Sequence, residues 1–344
     1  MNPRWQLQLR NAWQQRGWLA FLLWPLSVVV ATLSNCHRWW YRSGAGTVQH
    51  APVPVLVVGN VVAGGVGKTP VVMALVEHLR QRGLKVGIIS RGYGRQSTTP
   101  TSVHASSTAA EVGDEPLLMF RRCQVPVAVA IRRMDAVRCL LKQEPQLEVI
   151  ISDDGLQHHA LHHDLALCVF DDRGLGNGWH LPAGPLREAW PRPSAPGVLQ
   201  CVLNTGRNPR IPGYQAQRAL ASEAINGHGQ RRLLSHWRDR PVTALAGIAQ
   251  PELFFNMLRD QGLALKQCLA LPDHDTLTEV GQAGWLGPED MDLLCTEKDA
   301  VKLWPIRPQA WAVPLVTTLP PELVSLIDDW LDAKLSSGHG HQTA

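Results

Sequence analysis

The chain has no C-x-x-C pair. Its seven cysteines, Cys36, Cys123, Cys139, Cys168, Cys201, Cys268 and Cys295, are odd in number and widely scattered. That pattern argues against a disulfide framework and a zinc ribbon, and points to a reducing compartment. A strong field of either sign is also missing. Lys and Arg number 33 against 29 Asp and Glu, a formal net charge of +4 with the 14 histidines neutral, so nucleic acid is not an expected partner. No internal repeat is present. Only 18% of the 344 residues are charged and 45% are hydrophobic, which excludes disorder, coiled coil and collagen. The length suits two domains at roughly 100 to 200 residues each. Aromatics are scarce at 6%, yet 13 of them are Trp. Trp5, Trp13, Trp18, Trp24, Trp39 and Trp40 crowd the beginning of the chain, a residue type suited to places where one end of the ring is dry and the other wet.

Trp18 to Leu33 reads WLAFLLWPLSVVVATL, interrupted only by Pro25, Ser27 and Thr32. At 1.5 Å per residue this gives about 24 Å of helix, short of the roughly 30 Å hydrocarbon core. Arg4, Arg10 and Arg16 precede it, and Arg38 and Arg42 follow. Cationic flanks with interfacial Trp predict a segment within residues 1–45 that dips into one leaflet and meets anionic head groups. A cleaved signal is disfavoured because no A-x-A site follows. A single span and a helix packed on the protein's own core are the other readings.

After the linker from Gly44 to Pro54, short apolar runs alternate with helix-length stretches, the mark of β-α-β units and a parallel sheet. Strands are expected at Val55–Val58, Lys85–Ile89, Val125–Ala130, Leu147–Ile151 and Leu165–Phe170, with helices at Thr69–Arg82 and Arg132–Lys142. Residues 171–197, rich in Gly and Pro, form a long loop of the functional or linking kind. Beyond it, strands at Val198–Leu203, Val242–Ala246, Leu263–Leu271, Leu293–Thr296 and Trp311–Val316, with helices at Pro251–Gln261 and Pro321–Leu335, suggest a second α/β unit. The end from Ser336 to Ala344 reads as a solvated, disordered tail.

The first strand runs into GNVVAGGVGKT, residues 59–69, with a helix opening at Pro70. Glycines let backbone N–H groups approach phosphate oxygens in conformations a Cβ would forbid. Gly64, Gly65, Val66 and Gly67, with Asn60, are the expected nucleotide cradle. Lys68 supplies charge to the β and γ phosphates, and the Thr69 hydroxyl suits Mg²⁺. The strict G-x-x-x-x-G-K-[ST] pattern fails, since its first glycine falls at Val62. Membrane-linked switch ATPases with a similar glycine string carry a second lysine where Ala63 stands. Another expected core strand ends in Ser152, Asp153, Asp154, Gly155, the context for a Mg²⁺-binding carboxylate, although D-D-G is also good turn chemistry. The fold class is therefore α/β: a P-loop NTPase-like parallel-sheet domain over 46–172, a second, smaller α/β domain over 173–335, and an N-terminal amphipathic, hydrophobic membrane helix.

Four further strings could serve an acceptor. Asp114 and Glu115 precede an apolar helix-like stretch, where Asp114 reads either as an N-cap or as a base. His158 and His159 with His162 and His163 make two i, i+4 pairs that could bind metal on a helix, but without an H-E-x-x-H arrangement. Asp273, His274 and Asp275 set an imidazole between carboxylates. Arg91 to Arg95 closes a parallel strand, where a basic loop can reach an anionic substrate or form a solvated turn.

Taken in order, the apolar N-terminal helix, VGNVVAGGVGKTP, SRGYGR, GDEP, SDDGLQHH, LPAGPLRE, PDH and TEKDAVK resemble the tetraacyldisaccharide 4'-kinase family of lipid A biosynthesis over most of the chain. The resemblance implies ATP and Mg²⁺ as cofactors and an acylated glucosamine disaccharide 1-phosphate as acceptor, whose 4'-phosphorylation yields lipid IVA. It implies a peripheral protein on the cytoplasmic face of the bacterial inner membrane, expected as a monomer. Lys68 and Thr69 would hold phosphates and metal, and Glu115 with Asp153 or Asp154 would complete the metal shell. Asp114, assisted by His274, would accept the 4'-hydroxyl proton. Arg187 would lie beside the phosphates or the acceptor, and Arg91, Tyr93, Arg95, Gln157 and His158 would contact the acceptor. A membrane-associated P-loop switch without a small-molecule acceptor is the alternative.

Overall fold

The computed structural model describes residues 12–273, 275 and 291–339. Two sheets and a two-stranded ribbon carry the fold. In chain order the elements of the first part are α1 (Trp18–Arg42), β1 (Val55–Gly59), α2 (Lys68–Gln81), β2 (Val86–Ser90), β3 (Thr101–Ser102), α3 (Ala109–Val112), α4 (Asp114–Cys123), β4 (Val127–Val129), α5 (Arg133–Gln143), β5 (Val149–Asp153), β6 (Leu165–Phe170), β7 (Leu199–Asn204) and β8 (Tyr214–Gln215). There follow β9 (Gln217–Leu220), β10 (Glu223–Asn226), β11 (Arg231–Leu233), β12 (Val242–Ala246), α6 (Pro251–Asp260), β13 (Leu265–Ala270), β14 (Leu293–Thr296), α7 (Glu297–Leu303), β15 (Trp311–Val313), β16 (Leu315–Thr318) and α8 (Pro321–His339).

The eight-stranded sheet has the order β3-β4-β2-β5-β1-β6-β7-β8 and is parallel except at the β3–β4 edge. Strands β1, β2, β5 and β6 are buried along their whole length, as continuous apolar runs between helices require. From β1 the chain crosses to β2 on one side, and from β5 it crosses to β6 on the other. The crevice at the carboxyl ends of the adjacent β1 and β5 is therefore the topological switch point, where doubly wound sheets bind ligands. The six-stranded sheet has the order β11-β10-β15-β14-β12-β13, and β9 pairs antiparallel with β16 as a separate ribbon.

Several expected elements differ. The strand beginning near residue 198 was expected to start a second unit. It pairs in parallel with β6 instead, so the chain leaves the first sheet near residue 215 rather than at 172. The run from Trp311 to Val316 divides at Pro314, which has no N–H for a ladder: β15 stays in the six-stranded sheet, and β16 joins the ribbon. The last helix returns to the first sheet's core through Leu323, Ile327 and Leu331, at helical spacing, and Asp328 pairs with His78 at 2.8 Å and Arg82 at 2.9 Å. It reaches into residues expected to be tail. Residues 157–163 form turns, not a helix, so the histidine pairs are not arrayed on a helical face. All seven cysteines are free thiols. Burial pushes the Cys123 and Cys168 thiols up to about 12, which leaves them unreactive near neutrality.

Helix α1 runs 25 residues, through Pro25 and beyond the apolar run to Arg42. That is about 37 Å, so the length that seemed too short to span is long enough. Only Ala20 and Ser27 are buried, while Trp18, Phe21, Leu22, Trp24, Leu26, Val29, Leu33, Trp39 and Trp40 are exposed. The small stripe docks on the 171–197 loop: Ser27 Oγ donates to the His180 carbonyl at 2.7 Å, and Ser34 Oγ to the Arg187 carbonyl at 3.4 Å. Arg38 reaches the buried Glu188 at 3.6 Å, and Phe21 meets Trp179 edge-on. Apart from Phe21 and Trp24, which touch Trp179, the large apolar residues thus face away from the protein, the reverse of a core helix.

Candidate functional site

The cradle forms where β1 ends. Gly64 and Gly67 have φ of +93° and +83°, conformations that a side chain rarely adopts. Gly67 is the N-cap of α2 and offers no side chain, and no acid occupies the first turn. The helix's first N–H groups and the positive end of its dipole therefore face the loop. Lys68 Nζ donates to Asn60 Oδ1 at 3.2 Å and lies 3.5 Å from Asp154. The Asn60 amide in turn donates to the carbonyls of Val62 and Gly64, fixing the loop from inside.

The register that places Val58 opposite Asp153 brings the ends of β1 and β5 together. Asp153 is the last residue of β5 and is 1% exposed. Its Oδ1 has no hydrogen-bond partner among the described residues, while Oδ2 accepts from Ser90 Oγ at 3.3 Å. Burial, then the Glu115 and Asp154 carboxylates, push the Asp153 carboxyl up to about 7. Asp154 adopts φ +49°, which turns its side chain towards Lys68 and Arg187. Arg187 donates to it at 2.9 Å. Burial works against the Asp154 charge, but Lys68 and Arg187 outweigh it and hold its pKa below the ordinary value.

Asp114 is not an N-cap: Gly113 takes that position, and Asp114 and Glu115 fill the first turn of α4, where the helix dipole favours carboxylates. Both are met from the far side of the cleft by α7. Lys302 lies 3.0 Å from Asp114, and Lys298 lies 2.8 Å from Asp273 and 3.4 Å from Glu115. Burial opposes the Lys298 charge, yet Glu115 and Asp273 hold its pKa above the usual lysine value. The TEKDAVK string alone assigns these lysines no role. The usable signal was their i, i+4 spacing on one helix face opposite two adjacent acids. Thr296 caps that helix by accepting from the Asp299 N–H at 3.2 Å, and buried Asp299 accepts from the Gly247 N–H at 2.9 Å.

The remaining expected residues are distributed as follows. Arg91 and Tyr93 are exposed beyond β2, and Arg95 closes its own loop by donating to the Thr99 carbonyl at 2.7 Å. The Gln157 amide donates to the Asn60 carbonyl at 3.0 Å and to Glu188 at 2.7 Å. His158 Nε2 accepts from the Arg133 N–H at 3.2 Å, and burial, then Arg133, lower its pKa to about 4, so the ring is neutral near pH 7. His274 lies outside the described residues. Also unanticipated were Arg133, whose pKa burial lowers to about 10 against the pull of Asp153 and Asp154, and Asp171 at the end of β6. Asp171 pairs with Arg173 at 2.7 Å and accepts from Gln250 at 2.8 Å, a contact between the two sheets' loops.

A cavity of about 1140 Å³ opens between the two sheets, lined by residues 65–69, Glu115, Arg218, Phe254, Asp273 and Lys298 among others. The glycine cradle, Glu115 and Lys298 share this one space. Among the described residues, no three His, Cys, Asp or Glu side chains form a metal cluster.

The sequence model of the tetraacyldisaccharide-1-P 4'-kinase family matches residues 19–332. A tetraacyldisaccharide 4'-kinase from Polaromonas sp. (strain JS666 / ATCC BAA-500) is 50% identical over 342 residues, covering 97% of this chain and 100% of that one. The enzyme of the same name from Acidovorax sp. (strain JS42) is 49% identical over 336 residues, 96% of each chain. A crystal structure of LpxK from Aquifex aeolicus in complex with ATP superposes with a TM-score of 0.74 at 27% identity, covering 91% of this chain and 99% of that one.

Proposed function

The chain belongs to the tetraacyldisaccharide-1-P 4'-kinase family, and from that premise we propose how its residues divide the work. It is an ATP-dependent kinase that phosphorylates the 4'-hydroxyl of tetraacyl glucosamine disaccharide 1-phosphate to give lipid IVA in lipid A biosynthesis. The carrying observation for the division of roles is that the glycine cradle and Glu115 line one cavity, with Asp114 beside Glu115 at the start of the same helix. Phosphoryl transfer needs positioning and neutralisation of charge more than covalent help. Residues 64–69 grip the nucleotide phosphates, and Lys68 meets their charge. Asp114 accepts the 4'-hydroxyl proton as the oxygen takes the γ-phosphoryl group and ADP departs. Lys302 keeps that carboxylate oriented, and His274 is proposed to assist it. Arg187 lies against Asp154 at the cradle's edge, where the transferring group would pass. Arg91, Tyr93 and Arg95, on the loop beyond β2, with Gln157 and His158 beside the cradle, are proposed to shape the acceptor side.

The buried Asp153, with its Oδ1 unpaired among the described residues and the Glu115 and Asp154 charges acting on it, fits a divalent cation. Thr69, Glu115, Asp153 and Asp154 would hold Mg²⁺, which when bound neutralises phosphate charge. The decisive assay supplies ATP and detergent-dispersed acylated disaccharide 1-phosphate and looks for a product heavier by one phosphate. ATP hydrolysis indifferent to the acceptor would instead favour a switch.

Membrane association follows from the outward apolar face of α1. Docking contacts spread from Ser27 to Arg38 lay the helix along the protein, which suits a monotopic seat on the cytoplasmic leaflet better than a span. Replacing Phe21, Leu22, Val29 and Leu33 together by Ser is expected to abolish most co-sedimentation with anionic phospholipid vesicles while leaving ADP binding intact. Unchanged sedimentation would refute this seat. Lys302→Ala is expected to lower kcat about tenfold and to move the acid limb of its pH profile to higher pH, because the cation 3.0 Å from the carboxylate is gone. A kcat profile of unchanged shape would assign Lys302 a purely structural role.

A further inference from the structure

Arg218 occupies the second position of β9's four residues, opposite Thr317 in the ribbon that stands apart from both sheets. A Cβ placed on Gly67 would lie 3.2 Å from its Nη1, so the guanidinium rests against the left-handed residue that immediately precedes Lys68. The same side chain lines the cavity shared with residues 65–69. Nearby, Arg173 pairs with Asp171 and Arg187 with Asp154; of the other arginines lining the cavity, Arg207 pairs with Asp260 and Arg210 is exposed. Arg218 makes no hydrogen bond or ion pair within 4.0 Å among the described residues.

We infer that Arg218 is a phosphate-binding residue of the nucleotide site, delivered to the glycine cradle from the ribbon. The inference rests on the nucleotide reading above and adds a contact that none of the P-loop residues supplies. A guanidinium carries its charge at any working pH and presents a planar fork of donors that matches phosphate oxygens two at a time. Withdrawn from water without a partner, it is costly, and an anionic ligand offsets that cost. Burial lowers its pKa, while Asp171 and Asp172 act in the opposite sense without reaching contact distance. Its place beside Gly67 assigns it to the phosphates that stay with ADP, since Lys68 is the residue that extends towards the transferred group. Glycine at position 67 then has two reasons: its φ, and the space the guanidinium takes.

The test compares ADP and adenosine binding to the full-length wild type, Arg218→Ala, Arg218→Gln and Arg218→Lys, alongside steady-state kinetics. Arg218→Ala and Arg218→Gln are expected to weaken ADP binding about 10- to 100-fold, the range for lost charge-assisted hydrogen bonds. Adenosine, which has no phosphate, should bind all four proteins alike. The KM for ATP should rise in parallel with kcat changed less than about threefold, and Arg218→Lys should recover part of the loss. With no hydrogen bond to lose, the unliganded variants should melt with the wild type, and Gln keeps most of the side chain's volume should Ala not. ADP affinity within about twofold of wild type in either neutral variant overturns the inference alone. Wild-type protein that fails to bind ADP overturns the nucleotide reading and this inference with it.

Discussion

Asp114→Asn is expected to lower turnover about 10²- to 10⁴-fold, the range for removal of a general base, with ATP affinity almost unchanged. Asn keeps the shape of the residue and its place in the first turn of α4, so the helix and Glu115 stay where they are. What is lost is the capacity to take the hydroxyl proton. The loss should then appear in kcat and in kcat/KM alike, as for an interaction made only in the transition state. A parallel loss of nucleotide binding would sink the division of labour proposed for the two sides of the cleft. Lys302, 9% exposed and 3.0 Å from Asp114, is left without that carboxylate, and an uncompensated charge at such a site destabilises the fold. Asp114→Asn with Lys302→Ala should therefore recover stability lost by the single variant without recovering turnover.

Lys68→Ala should impair both binding and rate. Its ammonium stands at the first residue of α2, held by Asn60 at 3.2 Å and facing Asp154 at 3.5 Å. An ammonium there meets phosphate charge before transfer and more strongly as charge develops, so the expected loss in kcat is about 10²- to 10³-fold. The KM for ATP should rise by about tenfold, the cost of one charge-assisted contact. Normal ATP affinity in this variant, measured by direct binding, would mean that the glycine loop does not present the lysine to the nucleotide. The contrast between the two variants is informative: one side chain serves the acceptor alone, and the other serves the nucleotide throughout.

Strands β1, β5 and β6 were legible because each begins as a short apolar run rich in Val, Ile and Leu and bounded by turns, the pattern of a strand buried on both faces. The cradle was legible because its glycines and the adjoining Lys-Thr answer a local requirement of phosphate. Reading failed where a choice depended on partners distant in sequence. Nothing in LQCVLN says that residues 199–204 will pair with β6 rather than open a new sheet. Nothing in an apolar helix near the end of the chain says that it will return to the first core. Helix α1 ran longer than its apolar run because Ser34 and Arg38 are held by the loop beneath, a tertiary contact that carries the helix on to Arg42.

By itself the sequence determined which residues could perform the chemistry: a glycine loop ending in Lys68 and Thr69, two acids at the end of a core strand, and an acid pair at Asp114 and Glu115. Those are short-range facts, fixed by backbone conformation and residue type within a few positions. Only the tertiary structure decided how they are assembled. It set Asp153 against β1, brought Lys298 and Lys302 across the cleft to the acid pair, and laid Arg218 on Gly67. Charges separated by more than a hundred residues meet because sheet register and helix packing bring them there, and neither is written in any local stretch of the chain.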